Sequence, residues 1–504
     1  MLEKLYELQN GTDIRGIAIE NREKDINLTA ERVKKIIRGF VIWLENKKGI
    51  GSDKLKIAVG MDSRLSGPEL KDVISRELLN LGCTVYDCDL CTTPAMFMTT
   101  VHPSYKCQGS IMITASHLPY YYNGLKFFTE SGGCEKEDIK YILTEASNNN
   151  CKITCDKGKI LKVDFITEYS NLLVKKIRKG INSKINYDKP LLGFKIIVDG
   201  GNGAGGFFTS KVLEPLGAET DGSQFIDPDG RFPNHIPNPE AKEAMESIKS
   251  AVIENKADMG IVFDADVDRA AIVDDSGKGI NRNTLIALVS SIVLEEHPGT
   301  TIVTDSVTSK GLNEFIQNLG GKHHRFKRGY RNVINEGIRL NHEGEKCFLA
   351  IETSGHAALK ENYFLDDGAY LIAKILVKMA KIQEKGKNIE SLIDTLKIPL
   401  ESLEFRFDIL NENFKDYGFK IIENLGKYVK EIKRWNVAPH NYEGIRVDCD
   451  RSNGDGWFLL RLSLHEPVLC LNIESDVTGG SKIIIDKLKS FLMNYKDLNI
   501  NSFK

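Results

Sequence analysis

Three aspartates stand at alternating positions in the run 260–269, which reads GIVFDADVDR. The apolar residues before them predict a buried strand, and Asp264, Asp266 and Asp268 follow it in a loop. In an extended loop, this spacing points the three carboxylates the same way. Like charges held together repel one another unless a cation lies among them, and oxygen ligands suit Mg²⁺. We therefore expect a magnesium site, with a solvated acidic turn as the alternative.

A serine and a histidine occupy a second loop, after the predicted strand 111–113. A serine hydroxyl such as that of Ser116 is a weak nucleophile unless a base activates it or it already carries a phosphoryl group. The GxSxG pattern of acyl-transfer hydrolases is absent, because Thr114 and Leu118 stand where the glycines would be. Alone, the Ser116-His117 pair is compatible with an incidental feature of the loop.

A glycine pattern, GxGxxG, spans residues 201–206 between a predicted strand and a predicted helix. Asp221 follows about twenty residues later, which is the spacing of a dinucleotide-binding site. This pattern supports an alternative function, an NAD-dependent dehydrogenase. It is equally typical of a tight turn that packs a helix against a strand, and Asp199 and Gly200 separate it from the predicted strand.

Two further loops could bind a small polar molecule. The run 352–356, ETSGH, follows the apolar run 347–351, and its side chains can hydrogen-bond to vicinal hydroxyls. In the run 457–467, Arg461, Ser463 and His465 could hold a phosphate group. Cys88 and Cys91 form a CxxC without a second pair at zinc-finger spacing, so we interpret them as ordinary thiols.

Regular elements must position these loops. The apolar spacing of residues 33–44 predicts a helix over 29–47. An order of strand, polar loop, helix, Leu-Gly and strand occurs three times, beginning near residues 55, 195 and 301, which predicts three related α/β domains. Short strands and two helices after residue 400 predict a smaller α+β domain. The predicted domains are 1–163, 164–282, 283–400 and 401–504.

The composition argues against several function classes. The chain has 504 residues and a formal net charge of −2, so no broad electrostatic attraction to nucleic acid or anionic membrane is expected. No apolar run approaches the roughly 18 residues of a membrane span. The N-terminal segment lacks the apolar core of a signal peptide, so we expect a cytoplasmic protein.

Taken together and in this order, the loops resemble those of the α-D-phosphohexomutase family, which includes phosphoglucomutase, phosphomannomutase and phosphoglucosamine mutase. The resemblance covers nearly the whole chain. The segments that carry it are DIRG at 13–16, GMDSRLS at 60–66, TASH at 114–117, NGLK at 123–126, DADVDR at 264–269, ETSGH at 352–356 and RLSLHEP at 461–467. It implies three related α/β domains with mixed sheets and a smaller C-terminal α+β domain, heart-shaped around one central cleft.

The resemblance also implies an activity, the reversible transfer of a phosphoryl group between the 1- and 6-positions of a hexose phosphate. A phosphorylated Ser116 and a hexose 1,6-bisphosphate would be intermediates, and the Ser116 phosphate with the three aspartates would hold Mg²⁺. The implied catalytic residues are Ser116, His117, Lys126, Arg15, Arg269 and His356. The implied substrate-binding residues are Glu352, Ser354, His356, Lys327, Gly329, Arg331, Arg461, Ser463 and His465.

The implied substrates are glucose and mannose phosphates, because ETSGH resembles the bacterial phosphomannomutase/phosphoglucomutase branch. A phosphoglucosamine mutase and a non-catalytic sugar-phosphate-binding protein are the alternatives. The only expected partner is the small-molecule substrate, and the chain would be a monomer or a homodimer. The sequence departs from the family pattern at Ala265 and Val267, where glycines are usual, at Leu118, and at Leu464 and His465, where Asn and Thr are usual.

Overall fold

The computed structural model describes residues 5–22, 24–148, 158–463 and 466–503. The chain forms two compact units, here called the first unit (Met1–Leu285 with Ser354–Ser391) and the second unit (Ile286–Thr353 with Leu392–Lys504). Among the described residues, no helix is both long and apolar enough to cross a membrane.

The strands of the described residues are β1 Gln9–Asn10, β2 Asp13–Ile17, β3 Lys56–Met61, β4 Thr84–Leu90, β5 Gly109–Ile113, β6 Tyr122–Thr129, β7 Gly132–Gly133, β8 Lys159–Lys162, β9 Ile196–Asp199, β10 Met259–Phe263, β11 Ala270–Asp274, β12 Gly279–Ile280, β13 Thr301–Thr304, β14 Lys322–Arg325, β15 Cys347–Ile351, β16 Ala357–Leu359, β17 Leu365–Asp366, β18 Glu401–Ile409, β19 Trp435–Val437, β20 Ile445–Cys449, β21 Gly456–Leu462, β22 Val468–Ser475 and β23 Leu498–Asn499.

The α-helices are α1 Ala30–Lys48, α2 Gly67–Asn80, α3 Thr93–Val101, α4 Lys136–Asn148, α5 Phe165–Ile181, α6 Lys242–Asn255, α7 Arg282–Glu296, α8 Lys310–Asn318, α9 Tyr330–His342, α10 Gly368–Gln383, α11 Phe414–Glu431 and α12 Gly480–Leu492.

The predicted helix over 29–47 is confirmed as α1. The Thr29 side chain accepts a hydrogen bond from the Arg32 backbone N–H, which satisfies one of the amides that a helix start leaves without an intrahelical partner. Gly49 ends the helix in a left-handed conformation. The apolar face, which includes Ile36, Ile37 and Phe40, is buried in the core of the first domain. Capping and periodicity agree here, which is why the sequence predicted this helix well.

Two mixed sheets belong to the first unit. The larger has the order β1-β2-β6-β5-β3-β4-β8, with β7 paired to β6. Its strands β3, β4, β5 and β8 run parallel, whereas β6 pairs antiparallel with both β2 and β5. The smaller has the order β12-β11-β10-β9, and only β9 and β10 are parallel. Since parallel strands end on the same sheet edge, β3 and β5 bring their following loops together.

The second unit contains the parallel strands β14, β13 and β15 and a C-terminal antiparallel sheet of order β19-β20-β21-β22-β18-β23. Helices α11 and α12 bury Ile421, Leu425 and Ile484 in the core of that sheet. The predicted fold class, α/β domains with mixed sheets followed by an α+β domain, is confirmed. The heart shape and the four domain boundaries stay predictions.

Two elements differ from the sequence-based prediction. The helix predicted to follow the GxGxxG run, near residues 207–215, includes a π-helical turn, Thr209–Leu213, and a 3₁₀ turn, Glu214–Leu216. Pro215 has no amide N–H to donate and prevents a regular α-helix there. The segment Lys159–Lys162, which the sequence pattern did not predict as a strand, pairs with β4 as an exposed edge strand. Because its side chains are exposed on both faces, its sequence lacks the apolar alternation by which strands are recognised.

The GxGxxG segment packs against the aspartate loop. The Ala204 N–H donates to the Ala265 carbonyl over 2.8 Å. A Cβ atom added at Gly203 would lie 2.6 Å from the Ala265 Cα, and one at Gly206 would lie 2.0 Å from the Ile226 carbonyl oxygen. These glycines allow close backbone approach, which explains the pattern without a dinucleotide. The aspartate loop therefore rests on this turn.

We predict that Gly203→Ala lowers the thermal unfolding temperature measured by calorimetry, because the new methyl group meets backbone atoms that cannot rotate away. Overpacking of this kind costs about 1–3 kcal/mol. Gly205→Ala is the matched control, since its Cβ would lie 3.1 Å from the side chain of Phe263, which can shift slightly. Equal unfolding temperatures for the two variants would contradict the assigned packing role.

Candidate active site

Ser116 lies in the loop that follows β5, in the first unit. Its backbone has a φ of 51°, in the left-handed region that residues other than glycine seldom adopt, and only 3% of the residue is exposed. The Thr114 hydroxyl accepts the Ser116 N–H over 2.8 Å and donates to Asp62 over 2.7 Å. Asp62 follows β3, so two parallel strands together fix the position of the serine.

The guanidinium of Arg64 donates hydrogen bonds to the backbone carbonyls of the same loop. Its Nη2 donates to the carbonyls of Ser116 and Leu118 over 2.5 and 2.6 Å, and its Nη1 donates to the carbonyls of Pro119 and Tyr122, both over 2.9 Å. The side chain is fully buried and paired with Asp62. A planar group with five N–H donors can satisfy several carbonyls at once. Arg64 therefore stabilises the strained serine conformation.

The Ser116 hydroxyl contacts an acid, a cation and an imidazole. Its Oγ donates to Asp264 Oδ2 over 3.1 Å, lies 3.2 Å from His117 Nδ1, and accepts from Arg269 Nη2 over 3.2 Å. Arg269 is buried, and its Nε also donates to Asp264 Oδ2 over 3.0 Å. A negative charge that develops on Oγ would thus meet a fixed hydrogen-bond donor.

His117 is held as a neutral acceptor. Arg269 Nη2 donates to its Nδ1 over 2.7 Å. Burial, and then the positive charges of Arg269 and Arg15, lower the pKa of His117 to about 2. A neutral imidazole whose Nδ1 accepts from a guanidinium is not poised to remove the serine proton in the manner of a hydrolase.

The three aspartates converge, but not for the reason given by the sequence pattern. The loop is a tight turn between β10 and β11 rather than an extended segment, and Val267 adopts a φ of 64°. One oxygen of each carboxylate lies within 4.8 Å of the others. At most 1% of Asp264, Asp266 or Asp268 is exposed, which excludes a solvated acidic turn. The prediction of convergence was right, and its period-two argument was wrong.

The donor set fits a hard divalent cation. Lys126 Nζ contacts Asp266 Oδ2 at 2.9 Å and Asp268 Oδ2 at 2.5 Å. The other oxygen of each carboxylate, Oδ1, is buried and has no hydrogen-bond partner among the residues that the structure describes. A buried carboxylate oxygen without a donor is costly unless a cation neutralises it. Asp266 and Asp268 each have such an oxygen, and together with Asp264 they form a donor set that suits a divalent cation.

The charges in this cluster differentiate its acids. Burial and the neighbouring Asp268 carboxylate raise the pKa of Asp264. For Asp268, burial acts in the same upward direction, but the positive charges of Lys126, His356 and Arg269 together outweigh it, and the pKa is lowered. Thr93, at the start of α3, adds a further contact, because its hydroxyl donates to Asp266 Oδ2 over 2.5 Å. Lys126 and Thr93 therefore fix the orientation of these carboxylates.

His356 lies beside the aspartate loop, in the first unit. Its backbone forms a bridge with Arg269, and its Nδ1 is hydrogen-bonded to Asp366 Oδ2. Burial lowers the pKa of His356, but the carboxylates of Asp366 and Asp268 outweigh it and raise the value to about 9. The imidazole is thus oriented by one carboxylate and charged at neutral pH, as a proton donor requires.

Arg15 reaches the serine loop through a main-chain contact. Its Nη1 donates to the Ala115 carbonyl over 2.5 Å, and its Nη2 pairs with Asp13 at 3.0 Å. It enters from β2, which pairs with β6, the strand that carries Lys126. The catalytic residues implied by the sequence, Ser116, His117, Lys126, Arg15, Arg269 and His356, all belong to the first unit.

Several predicted sugar-binding residues belong to the second unit. Glu352 Oε1 accepts the Gly329 N–H over 2.6 Å, so the loop 327–331 lies against Glu352. Asp305, after β13, accepts from the hydroxyl and the N–H of Thr353, which fixes the residue next to Glu352. In the loop 327–331, Lys327 is exposed and Arg331 is half-buried. Ser354 falls in the first unit.

The predicted phosphate loop begins at the end of β21. Arg461 is 6% exposed, and its Nε is buried without a hydrogen-bond partner in the described parts of the chain. Such a donor favours an anion as its partner. The Ser463 hydroxyl accepts the Glu466 N–H over 3.4 Å. His465 and Leu464 lie outside the described residues.

Sequence reasoning did not single out four residues that position this site. Asp62 and Arg64 were noticed only as part of the 60–66 motif, and a motif does not reveal that an arginine is buried under a loop. Thr93 and Asp366 carried no signal, because each acts across a long sequence separation.

The CxxC cysteines are both buried, and burial raises the pKa of Cys91 to about 12.

Three profiles of known families match the chain in order. Those described as phosphoglucomutase/phosphomannomutase, alpha/beta/alpha domains I, II and III match residues 7–152, 169–277 and 281–397. The phosphomannomutase/phosphoglucomutase of Pseudomonas putida is 30% identical over 453 residues, which cover 88% of this chain and 90% of that protein. That of Pseudomonas syringae is 32% identical over 436 residues, covering 85% of this chain and 86% of that protein.

Solved structures share the fold. The structure of a phosphoglucomutase/phosphomannomutase family protein from Burkholderia thailandensis matches with a TM-score of 0.78 and 25% identity, over 98% of this chain and 97% of that one. The open form of a Paramecium phosphoglucomutase, parafusin, matches with a TM-score of 0.72 and 15% identity, over 96% of this chain and 94% of that one. At 15% identity, the second match shows the fold alone.

We predict that adding Mg²⁺ to the EDTA-treated protein raises its unfolding temperature, because a ligand that binds only the folded state stabilises that state. Asp266→Asn should abolish most of this rise, since it removes the negative charge of a buried ligand and replaces one of its two oxygens by an amide nitrogen. Asp275→Asn is the control, because Asp275 is exposed and outside the cluster. An undiminished rise in Asp266→Asn would contradict the assigned cation site.

Proposed function

Because the chain belongs to the phosphoglucomutase/phosphomannomutase family, we propose that it moves a phosphoryl group between O1 and O6 of a hexose phosphate by way of Ser116. Its family makes the chain a hexose phosphate mutase; the proposal concerns the residues, the cation and the sugar. The observation that carries it is the Ser116 hydroxyl, which lies 3.1 Å from Asp264 and 3.2 Å from Arg269 within the buried aspartate cluster.

Ser116 acts as a phosphoryl carrier rather than as a base-activated nucleophile. Its nearest imidazole, His117, is neutral and accepts from Arg269, so it provides no strong base. A phosphorylated serine at this position would instead be surrounded by positive charge from Arg269, Arg15 and Lys126. Phosphoryl transfer depends mainly on such charge neutralisation and on in-line positioning.

The transfer exchanges one phosphorus–oxygen bond for another. The free hydroxyl of the sugar loses its proton to a base, and its oxygen bonds to phosphorus. The bond between phosphorus and Ser116 Oγ breaks, and Oγ keeps the electron pair and takes up a proton. The product is a hexose 1,6-bisphosphate. It reorients in the site and returns its other phosphoryl group to Ser116 by the reverse steps.

Asp264, Asp266, Asp268 and the phosphate on Ser116 would hold Mg²⁺. When bound, the cation offsets the charge that develops on the transferring phosphoryl group. Arg269 contributes from the protein side, since its Nη2 lies 3.2 Å from Oγ and stabilises the leaving oxygen. Arg64 holds the serine carbonyl and so keeps Oγ directed at this group of charges.

Three of the implied catalytic residues, Lys126, His117 and His356, could move the sugar proton, and His356 has the best support. Lys126 is engaged by two carboxylates, and His117 by Arg269. His356 has its Nδ1 bound by Asp366, an arrangement that orients an imidazole for proton transfer. As an imidazolium it would donate to the leaving sugar oxygen when the phosphoryl group returns to serine, and it would then be the base for the opposite step.

Recognition of the sugar phosphate falls to other residues. Glu352 and Ser354, with Lys327, Gly329 and Arg331, would bind the sugar hydroxyls. Arg461, Ser463 and His465 would hold the phosphate that does not react. We propose glucose and mannose phosphates as substrates, in line with the names of the relatives, and the predicted division into four domains as the frame for these loops.

We predict turnover of glucose 1-phosphate and mannose 1-phosphate in a coupled assay primed with glucose 1,6-bisphosphate. Ser116→Ala should lose at least about a thousandfold in kcat, because the oxygen that carries the phosphoryl group is gone. Intact mass should show one phosphoryl group on the bisphosphate-treated protein and none on this variant. Ser131→Ala, at an exposed serine, is the control.

Two outcomes would contradict this function. The first is full activity in Ser116→Ala. The second is binding of the bisphosphate without turnover of any sugar, which would indicate the non-catalytic alternative. Glucosamine 6-phosphate is included in the same assay, and activity on it alone would correct the substrate to that of a phosphoglucosamine mutase.

We further predict that His356→Gln lowers kcat by about 10²–10⁴-fold, the usual contribution of a general acid or base. The KM should change little, because the imidazole acts on a proton rather than on binding. His342→Gln, at an exposed histidine, is the control. If His356→Gln retains wild-type kcat while Lys126→Met or His117→Gln loses it, the role belongs to that residue instead.

A further inference from the structure

A carboxylate from the C-terminal domain contacts the main chain of the proposed sugar-binding loop. Glu443 Oε1 accepts the Arg328 N–H over 2.9 Å. The same oxygen accepts from the hydroxyl of Ser306, in the loop after β13. All three residues belong to the second unit, and Glu443 is half-buried. Hydrogen bonds from an amide and a hydroxyl to an ionised acceptor are stronger than those to a neutral one.

The neighbouring amide of the same loop is held by a second carboxylate. The Gly329 N–H donates to Glu352 Oε1 over 2.6 Å. Gly329 has a φ of 112°, so the backbone turns sharply between the two contacts. Consecutive amides of the loop are therefore fixed by Glu443 on one side and by Glu352, a proposed sugar-binding residue, on the other.

Glu443 is also tied to the proposed phosphate-binding residue. It precedes β20, which pairs antiparallel with β21, the strand that bears Arg461. Between them, Gly444 has a φ of 58°, and a Cβ there would lie 2.8 Å from the Arg461 Cα. A displacement of Arg461 would thus be transmitted to Glu443 through closely packed backbone.

Strands β20 and β21 form a hairpin, here called the phosphate-binding hairpin, and Arg446 already attaches it to the loop after β13. Arg446 Nη1 donates to the carbonyls of Ser306 and Thr308 over 2.9 and 3.0 Å, and its guanidinium lies 3.6 Å from the centre of the Trp457 ring. Since Arg446 supplies this attachment, the Glu443 carboxylate is left with a more local effect, on the amide that precedes Gly329.

We propose that Glu443 is a positioning residue that couples the phosphate-binding hairpin to the sugar-binding loop 327–331. Binding of the phosphate to Arg461 would reduce the motion of this hairpin. Glu443 would then hold the Arg328 amide in place, and with it the Gly329 amide that donates to Glu352. The inference rests on the proposed function for the roles of Arg461 and Glu352. It assigns to Glu443 no contact with the substrate.

The kinetic test compares Glu443→Ala, Glu443→Gln and the wild type with glucose 1-phosphate. Loss of the acceptor should raise KM about tenfold, the effect of losing one hydrogen bond to a charged group, with kcat changed less than about threefold. Gln keeps an acceptor oxygen and should recover most of the loss. Glu412→Ala, at an exposed glutamate of the same domain, is the control.

A second measurement does not depend on turnover. Hydrogen–deuterium exchange of a peptide spanning 326–331 is followed with and without saturating glucose 1-phosphate. The sugar phosphate should slow exchange in the wild type and in Glu412→Ala, but not in Glu443→Ala. If Arg461 and Glu443 act through one chain of contacts, the effect of glucose 1-phosphate on exchange should be the same in the double variant Arg461→Ala/Glu443→Ala as in Arg461→Ala alone.

The outcomes separate the two proposals. If the wild type turns over no hexose phosphate, the proposed function fails, and the exchange experiment still decides whether Glu443 orders the loop. If the wild type is active but Glu443→Ala matches it in KM and in exchange, the inference fails and the proposed function stands. Equal losses in the Ala and Gln variants, with lowered unfolding temperature in both, would reduce Glu443 to a structural contact.

Discussion

Three aspartates can share one buried volume only because positive groups surround them. Lys126 contacts two of the carboxylates, and Arg269 contacts the third while also reaching Ser116 and His117. Two carboxylate oxygens still lack a donor among the described residues, and this defines where a cation would bind. Lys126 lies on β6 and Arg269 directly precedes β11, so the charge balance depends on the positions of these two strands. The mixed sheets of the first unit bring those strands together.

Close backbone packing beneath the aspartate loop makes this balance rigid. Gly203 approaches Ala265 from one side, and the Gly368 N–H donates to the Val267 carbonyl from the other. Val267 pays for its φ of 64° with strain on the order of 1–2 kcal/mol. Full burial of its side chain contributes a similar amount in the opposite direction. A residue that replaces the family's usual glycine can thus keep the turn while filling the space behind it.

The sequence predicted most accurately those features that depend on local physics. Helix α1 has both a capping threonine and an apolar face, and β15 coincides with its apolar run. Features that depend on distant partners were harder to foresee. Nothing in the letters around Arg64 indicates that it is fully buried beneath the serine loop, and Thr93 acts on Asp266 from far away in the chain. The resemblance to a known family supplied the grouping of the loops, which spacing alone could not.

The residues proposed for the chemistry lie in one unit of the chain, and most of those proposed for recognition lie in the other, with Ser354 as an exception. Ser116, the aspartates, Arg269 and His356 lie in the first unit, whereas Glu352 and Arg461 lie in the second. The hydrogen bonds and ion pairs described above for Ser116, Lys126 and Arg269 join residues of the first unit. On the proposed roles, substitutions at Glu352 or Arg461 would change which sugar phosphate binds and leave the described hydrogen bonds of Ser116 in place.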